Sequence, residues 1–363
     1  MNWPRNCNMN APVADSSSSH RFNWNWRLKE LDRVQKNGRT VFSCFSCGGG
    51  SSMGYKLAGY SVIGNVEVDP EMNEVYKRNL KPKFNYEMDI RDFNALGKWE
   101  PALMGCDILD GSPPCSVFSM VGGREKGWNT EKRFREGQKK QRLDDLFFHF
   151  ICTAEILRPK IVVAENVKGL LVGKSRGFVV EIAEKFREIG YQFQTFLLNS
   201  ATMGVPQRRE RVFFIAHRND LAFPKLKLDF SERPITFKEV RSPFGTGIPF
   251  QKEAMKAVVA CRRYGERHVG HTSKRVRNLV SMFSDTYSYD ERVAPTLAAS
   301  GVSVRFVDGL KYSVSDTINV QTFPQDYDFG RSDVRFVCGM SVPPVMMANI
   351  SSEIYEQWLK GME

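Results

Sequence analysis

TVFSCFSCGGGSSMG, residues 40–54, decides how this chain is read. Val41 to Phe45 is an apolar run of strand length, and the glycines Gly48, Gly49 and Gly50 follow almost at once. Beyond them the pattern opens a helix. A strand that passes through a glycine-rich turn into a helix lets backbone approach a ligand closely at a helix N-terminus. The spacing does not match G-x-G-x-x-G, which disfavours a dinucleotide site. A purely structural turn is the alternative at this point.

Short apolar runs then alternate with longer mixed stretches as far as His217. Further strands are expected at Ser61 to Val66, Cys106 to Leu109, Ile161 to Ala164, Phe193 to Leu198 and Val212 to Ala216. Covering helices are expected at Pro70 to Asn79, Leu143 to Leu157 and Val179 to Ile189. This alternation predicts an α/β fold with a doubly wound, mostly parallel sheet and ligand sites at the strand C-terminal ends. Residues 219–291 break the rhythm, being rich in Pro, Gly, Arg and Lys, and form the candidate smaller domain. The expected division is a polar tail over 1–38, a catalytic and cofactor-binding domain over 39–218, the smaller domain over 219–291, and a segment over 292–363 that returns to the large domain. Phe22, Trp24 and Trp26, separated by polar residues, read as a docking segment at the end of the tail.

The chain has 363 residues, 42% of them hydrophobic, enough for one large core and a smaller one. Lys and Arg number 52 against 41 Asp and Glu, a formal charge of +11, which favours a polyanionic partner. No apolar run is long enough to span a bilayer and no signal peptide is evident, so a cytoplasmic, nucleoid-associated location is expected. Eight scattered cysteines do not make a disulfide framework. Cys44 and Cys47 form a CxxC with no second pair at zinc spacing, so no metal is expected.

Four further groups of residues carry chemistry. Glu67 ends the second strand, where a carboxylate can accept both hydroxyls of a ribose, and Asp89 follows the third, within reach of an adenine amino group; either alone equally suits a surface or capping role. In Gly111-Ser112-Pro113-Pro114-Cys115-Ser116, two prolines stiffen a turn and mount a thiol at a strand exit, as for a nucleophile. Glu165 and Asn166 close another strand on the same rim as Cys115. In Gln207-Arg208-Arg209-Glu210-Arg211, Arg209 and Arg211 either face that pocket or are solvated charges.

Together these residues resemble the C5-cytosine-specific DNA methyltransferase family over nearly all of residues 40–358. The blocks stand in order: FSCGGGSSMG, Glu67 to Asp69, Met88 to Ile90, SPPCS, ENV, QRRER, Arg292 to Leu297, Phe323 to Tyr327, and Gly339 to Val342. Cys47 stands where the family usually has glycine, Ser116 where it has glutamine, and Met340 where it has asparagine.

The resemblance implies an S-adenosylmethionine-dependent methyltransferase fold with a target recognition domain over 219–291. It implies a covalent mechanism in which Cys115 adds to carbon 6 of a flipped-out cytosine and Glu165 holds N3 and the exocyclic amino group. Arg209 and Arg211 would serve the same pocket, with Arg209 on the O2 side, and Asn166 would brace the Pro114-Cys115 turn. S-adenosyl-L-methionine is the implied cofactor. Its expected contacts are Phe45, Ser46, Gly48, Gly49, Gly50, Glu67, Val68, Asp89, Ile90, Pro114, Leu146, Ser341 and Val342. The basic segment from Ser116 to Arg142, including Ser119, would close over double-stranded DNA, and Gln207, Lys274, Arg275 and Arg277 would also meet it. A monomer is expected, with any cognate restriction endonuclease acting separately. The rival readings are transfer RNA cytosine-5 methylation and a catalytically silent DNA-binding scaffold.

Overall fold

The computed structural model describes residues 20–114, 145–172, 176–278 and 285–362. Six strands come first: β1 (Thr40–Cys44), β2 (Ser61–Val66), β3 (Phe84–Tyr86), β4 (Ile108–Gly111), β5 (Ile161–Val167) and β6 (Tyr191–Asn199). A two-residue strand, β7 (Gln207–Arg208), stands apart, and β8 (Glu210–Arg218) then completes a seven-stranded sheet in the order β3-β2-β1-β4-β5-β8-β6. Strands β1 to β5 run parallel, while β8 is antiparallel to both β5 and β6. Strand order reverses between β1 and β4, which opens a crevice above their C-terminal ends.

The central strands are apolar runs because both faces are covered. On one face Phe42, Leu109, Val162 and Phe214 pack with Phe147 and Phe150; on the other Val41, Ile108, Val163 and Phe213 lie in a second core. Connecting helices are α1 (Gly50–Leu57), α2 (Pro70–Leu80), α3 (Ile90–Asn94), α4 (Leu146–Leu157) and α5 (Arg176–Glu188). Asp69 caps α2 by accepting from the N–H groups of Glu71 and Met72, with Pro70 in the first turn.

Strand β4 begins two residues later than the hydrophobic pattern predicts. Asp107 is the reason: its carboxylate accepts from the Thr40 N–H at 2.8 Å and from Lys160 Nζ at 2.6 Å, so it pins the strand entrance.

After β8 come α6 (Phe237–Val240), α7 (Glu253–Ala260), α8 (Val269–Arg277), β9 (Thr286–Ser288), β10 (Ala294–Pro295), β11 (Ser303–Arg305), α9 (Val314–Gln321), α10 (Val334–Met340) and α11 (Pro344–Ile354). Strands β9 and β11 pair in parallel, as do β10 and β7. A small core of Val258, Val259, Val269, Tyr287, Tyr289 and Val304, with Phe306 against it, therefore draws on residues both before and after 291. Arg305, fully buried, ties this part to α9: it pairs with Asp308 at 2.7 Å and Asp316 at 3.5 Å and donates to the Pro243 carbonyl at 2.8 Å.

The C-terminal α11 returns to the large core and packs on α1. Their approach needs Gly54, since a Cβ there would lie 2.5 Å from the Pro344 carbonyl oxygen. The docking segment is anchored by Trp26, 2% exposed, whose indole N–H donates to the Thr322 carbonyl at 2.9 Å.

Candidate active site

Beyond β1 the backbone turns sharply. Phe45, Cys47 and Gly49 take left-handed φ values of 53°, 44° and 75°, a region that glycine occupies without strain. The turn is pressed from behind by the chain's last block. A Cβ on Gly50 would lie 2.1 Å from the Val342 carbonyl oxygen, and one on Gly48 2.4 Å from Val337 Cγ1. Ser341 and Val342 are themselves buried, and Ser341 is held by its hydroxyl on the Val337 carbonyl and by Gln321 on its own carbonyl. The Tyr327 hydroxyl donates to the Gly48 carbonyl at 2.6 Å.

Glu67, at the end of β2, fixes the same turn. One carboxylate oxygen accepts the Cys47 N–H at 2.8 Å and the other the Asp69 N–H at 2.9 Å. Burial pushes its carboxyl up to about 7, against the lowering effect of those two N–H groups. The Ser46 hydroxyl accepts from the buried Asn65 amide. Val68 stays exposed beside Glu67, while Ile90 and Leu146 are buried. Asp89 caps α3 through the Arg91 N–H at 2.8 Å and pairs with the Arg91 guanidinium at 3.0 Å. Phe45 is half-buried, its ring 6.5 Å from that of Phe150. A backbone turn, two carboxylates and apolar side chains thus follow the C-terminal ends of β1 to β3.

The second half of the site is built by β5 and β8. Their register sets Glu165 opposite Phe213 and Val167 opposite Arg211, which puts Glu165 and Arg211 diagonally on one face. Arg211 Nε meets Glu165 Oε1 at 2.9 Å, and Glu165 is 9% exposed. Arg209 is buried and donates to the Leu297 and Gly339 carbonyls, both at 3.2 Å. Burial works against its charge, as does neighbouring Arg211, while Glu165 supports it. Asn166 donates to the Pro113 carbonyl at 3.2 Å, bracing the turn that leads through Pro114. Cys115 and Ser119 lie outside the described residues.

Gln207 departs from expectation as a DNA contact. It is fully buried, its amide donates to Gln321 Oε1 at 2.7 Å and the Val320 carbonyl at 3.2 Å, and its oxygen accepts the Leu297 N–H at 2.9 Å. Both amide hydrogens are spent, so it joins β7 to the C-terminal segment rather than reaching a base. Lys274, Arg275 and Arg277 are exposed on α8. Arg275 is partly committed, pairing with Glu266 at 2.9 Å and donating to the Cys261 carbonyl. Two residues at the site were not foreseen from the sequence, Tyr327 as a clamp on the turn and Asp110 beneath it. An acidic residue inside the apolar run CDILDG was the available signal for Asp110.

A sheet of this order, with the turn after β1 and a carboxylate after β2, defines the α/β class of methyltransferases. Solved structures share that fold. One, described as a DNA modification methyltransferase encoded within a prophage of E. coli, is 19% identical with a TM-score of 0.65, covering 88% of this chain and 99% of its own. A variant of Spodoptera frugiperda DNMT2 is 17% identical with a TM-score of 0.60, covering 88% and 100%. Residues 39–356 match the C-5 cytosine-specific DNA methylase family, and the chain belongs to it. Among curated relatives, the type II methyltransferase M.FnuDI of Fusobacterium nucleatum is 33% identical over 199 residues, 55% of this chain and 52% of that protein. M1.HphI of Haemophilus parahaemolyticus is 30% identical over 51% of this chain and 48% of its own, so the chain spans about half the length of these two relatives. M.NgoFVII of Neisseria gonorrhoeae is 27% identical over 88% of this chain and 87% of its own.

Proposed function

We propose that the chain is a DNA (cytosine-5-)-methyltransferase that uses S-adenosyl-L-methionine and a covalent Cys115 adduct. The observation that carries this is the joint placement of Glu165, Arg211 and Arg209 on the rim to which Asn166 ties the Pro113-Pro114 turn. Carbon 5 of cytosine is a poor nucleophile until the ring's aromaticity is broken. The Cys115 thiolate adds to carbon 6 while Glu165, oriented by Arg211, delivers a proton to N3, which leaves an enamine at carbon 5. Arg209 steadies the O2 side. When bound, the cofactor supplies an electrophilic methyl group to carbon 5. Loss of the carbon 5 proton to water then expels the Cys115 thiolate, and return of the N3 proton to Glu165 restores the ring.

The residues of the crevice fit that cofactor. Glu67 holds the ribose hydroxyls, and Asp89 with Ile90 meets the adenine. The backbone of Ser46 and Gly48 to Gly50, with Phe45, Val68, Pro114 and Leu146, lines the remaining space, and Ser341 and Val342 act as backing for the turn. The base must leave the stack to reach Cys115, and the recognition lobe offers Lys274 and Arg277 to the duplex. We place that lobe from about residue 241 to about 312, because Phe306 and Val304 share its core. The enzyme acts as a monomer on nucleoid DNA, apart from any cognate endonuclease; among the described residues no helix is long and apolar enough to cross a membrane.

Incubation with methyl-labelled cofactor and either mixed-sequence duplex DNA or transfer RNA tests the reading. Label in DNA, recovered as 5-methylcytosine by nucleoside mass spectrometry, is expected. Label confined to RNA, or recovered as a different methylated base, contradicts it.

A further inference from the structure

Asp110 is a carboxylate that none of the roles above uses. It lies at 2% exposure in β4, one residue before the Gly111 that ends the strand and leads into the Ser112 to Pro114 turn. One carboxylate oxygen accepts the Ser43 hydroxyl of β1 at 2.9 Å, and the other accepts the Ser51 hydroxyl at 2.8 Å. Ser43 is its register partner across the sheet. Ser51 belongs to the first turn of α1, immediately after Gly50 of the cofactor turn. The fully buried Tyr55, a turn further along α1, also bears on it. The next residue, Gly111, is held on its other side, since a Cβ there would lie 2.5 Å from the Phe150 ring.

An acidic side chain is a costly way to fill such a space, where an apolar one would pack without desolvation. What it adds is direction: two hydroxyls from separate elements converge on one carboxylate. We infer that Asp110 is a positioning residue that fixes the start of α1 against the exit of β4, and so locks the cofactor turn to the turn that carries Cys115. Displacement of Ser51 moves Asp110, and with it the Ser112 to Pro114 backbone that Asn166 holds from the other side. The functions assigned to the two turns rest on the methyltransferase reading; the mechanical link between them does not.

The test uses the full chain with Asp110→Asn, Asp110→Ala and Ser51→Ala. Affinity for S-adenosylhomocysteine by titration calorimetry, the thermal midpoint, and kcat with KM for DNA are measured for each. Asp110→Ala is expected to weaken S-adenosylhomocysteine about tenfold and to lower kcat about tenfold, with KM for DNA little changed. Asp110→Asn keeps an acceptor oxygen and recovers most of both. Ser51→Ala weakens the same binding by itself but adds nothing when Asp110 is already alanine, the non-additivity that marks one shared link. Wild-type affinity and kcat in Asp110→Ala overturn the inference, as do losses that merely follow the folded fraction. If Asp110→Ala does not fold, unchanged affinity and kcat in Ser51→Ala overturn it. A wild-type chain that binds S-adenosylhomocysteine yet methylates no DNA refutes the function proposed above, and the affinity comparison still decides the link. Absence of binding in the wild-type chain refutes the function alone; the link is then decided by the thermal midpoints, where additive losses from Ser51→Ala and Asp110→Ala overturn it.

Discussion

Burial pushes the Glu67 carboxyl from its ordinary 4.5 up to about 7, so folding favours the protonated form. The stability this contributes is complete below about pH 4.5 and is lost as the pH rises through about 7, a change on the order of 3 kcal/mol. Asp110, also pushed up to about 7 by burial, acts in the same direction. Urea unfolding across that window is therefore expected to fall less steeply with pH in Glu67→Gln than in the wild-type chain. A slope unchanged by the substitution would remove Glu67 as its source. With the Val342 carbonyl 2.1 Å from where its Cβ would stand, Gly50→Ala forces backbone to move and is expected to cost about 1–3 kcal/mol of unfolding free energy and to weaken S-adenosylhomocysteine binding. The turn and Glu67 were legible in the sequence because each needs its residue type at that place. Gln207 was misread because it precedes a run of charges, and nothing in that run shows that it packs against Val320 and Gln321, more than a hundred residues away.

Among the elements, the strands of the large sheet were legible because both its faces are buried, which writes them as apolar runs. The runs carry no direction, so the antiparallel course of β8 was invisible although it decides that Arg211 falls beside Glu165. Strands β9 and β11 have three residues each, too few for a period, and the change of composition alone ended the small domain before the second of them. Helix α8 was read only through Lys274, Arg275 and Arg277, a patch of cations for DNA. Its structure sorts the patch, with Arg275 tied to Glu266 and the side chains of Lys274 and Arg277 exposed. Replacing Lys274 and Arg277 together by alanine is expected to lower the salt slope of DNA binding by about one for each phosphate no longer neutralised, measured by fluorescence anisotropy. A slope that does not change would take α8 off the duplex.

For the whole molecule, the proposed function requires that the lobe reading DNA and the lobe modifying it hold a fixed relation. Arg305 is placed to maintain that relation, since from a fully buried site in β11 it pairs with Asp316 at the start of α9, besides donating to the Ser242 hydroxyl and the Pro243 carbonyl of its own lobe. Arg305→Met leaves Asp308 and Asp316 without their cation and is expected to destabilise the chain by about 3–5 kcal/mol in chemical denaturation. A loss below about 1 kcal/mol would show that Arg305 is not what holds the lobes together. The end of the large sheet was visible as a change in composition after residue 218; a cross-link of this kind depends on residues that meet only in the folded chain. The proposed attack of Cys115 on carbon 6 of a flipped cytosine is tested with duplex DNA carrying 5-fluorocytosine, because fluorine at carbon 5 cannot leave as a proton does. Incubated with S-adenosyl-L-methionine, the wild-type chain is expected to form a denaturation-resistant protein–DNA adduct that Cys115→Ser does not form. An adduct that persists in Cys115→Ser, or none in a wild-type chain that binds the cofactor and the DNA, would contradict the account.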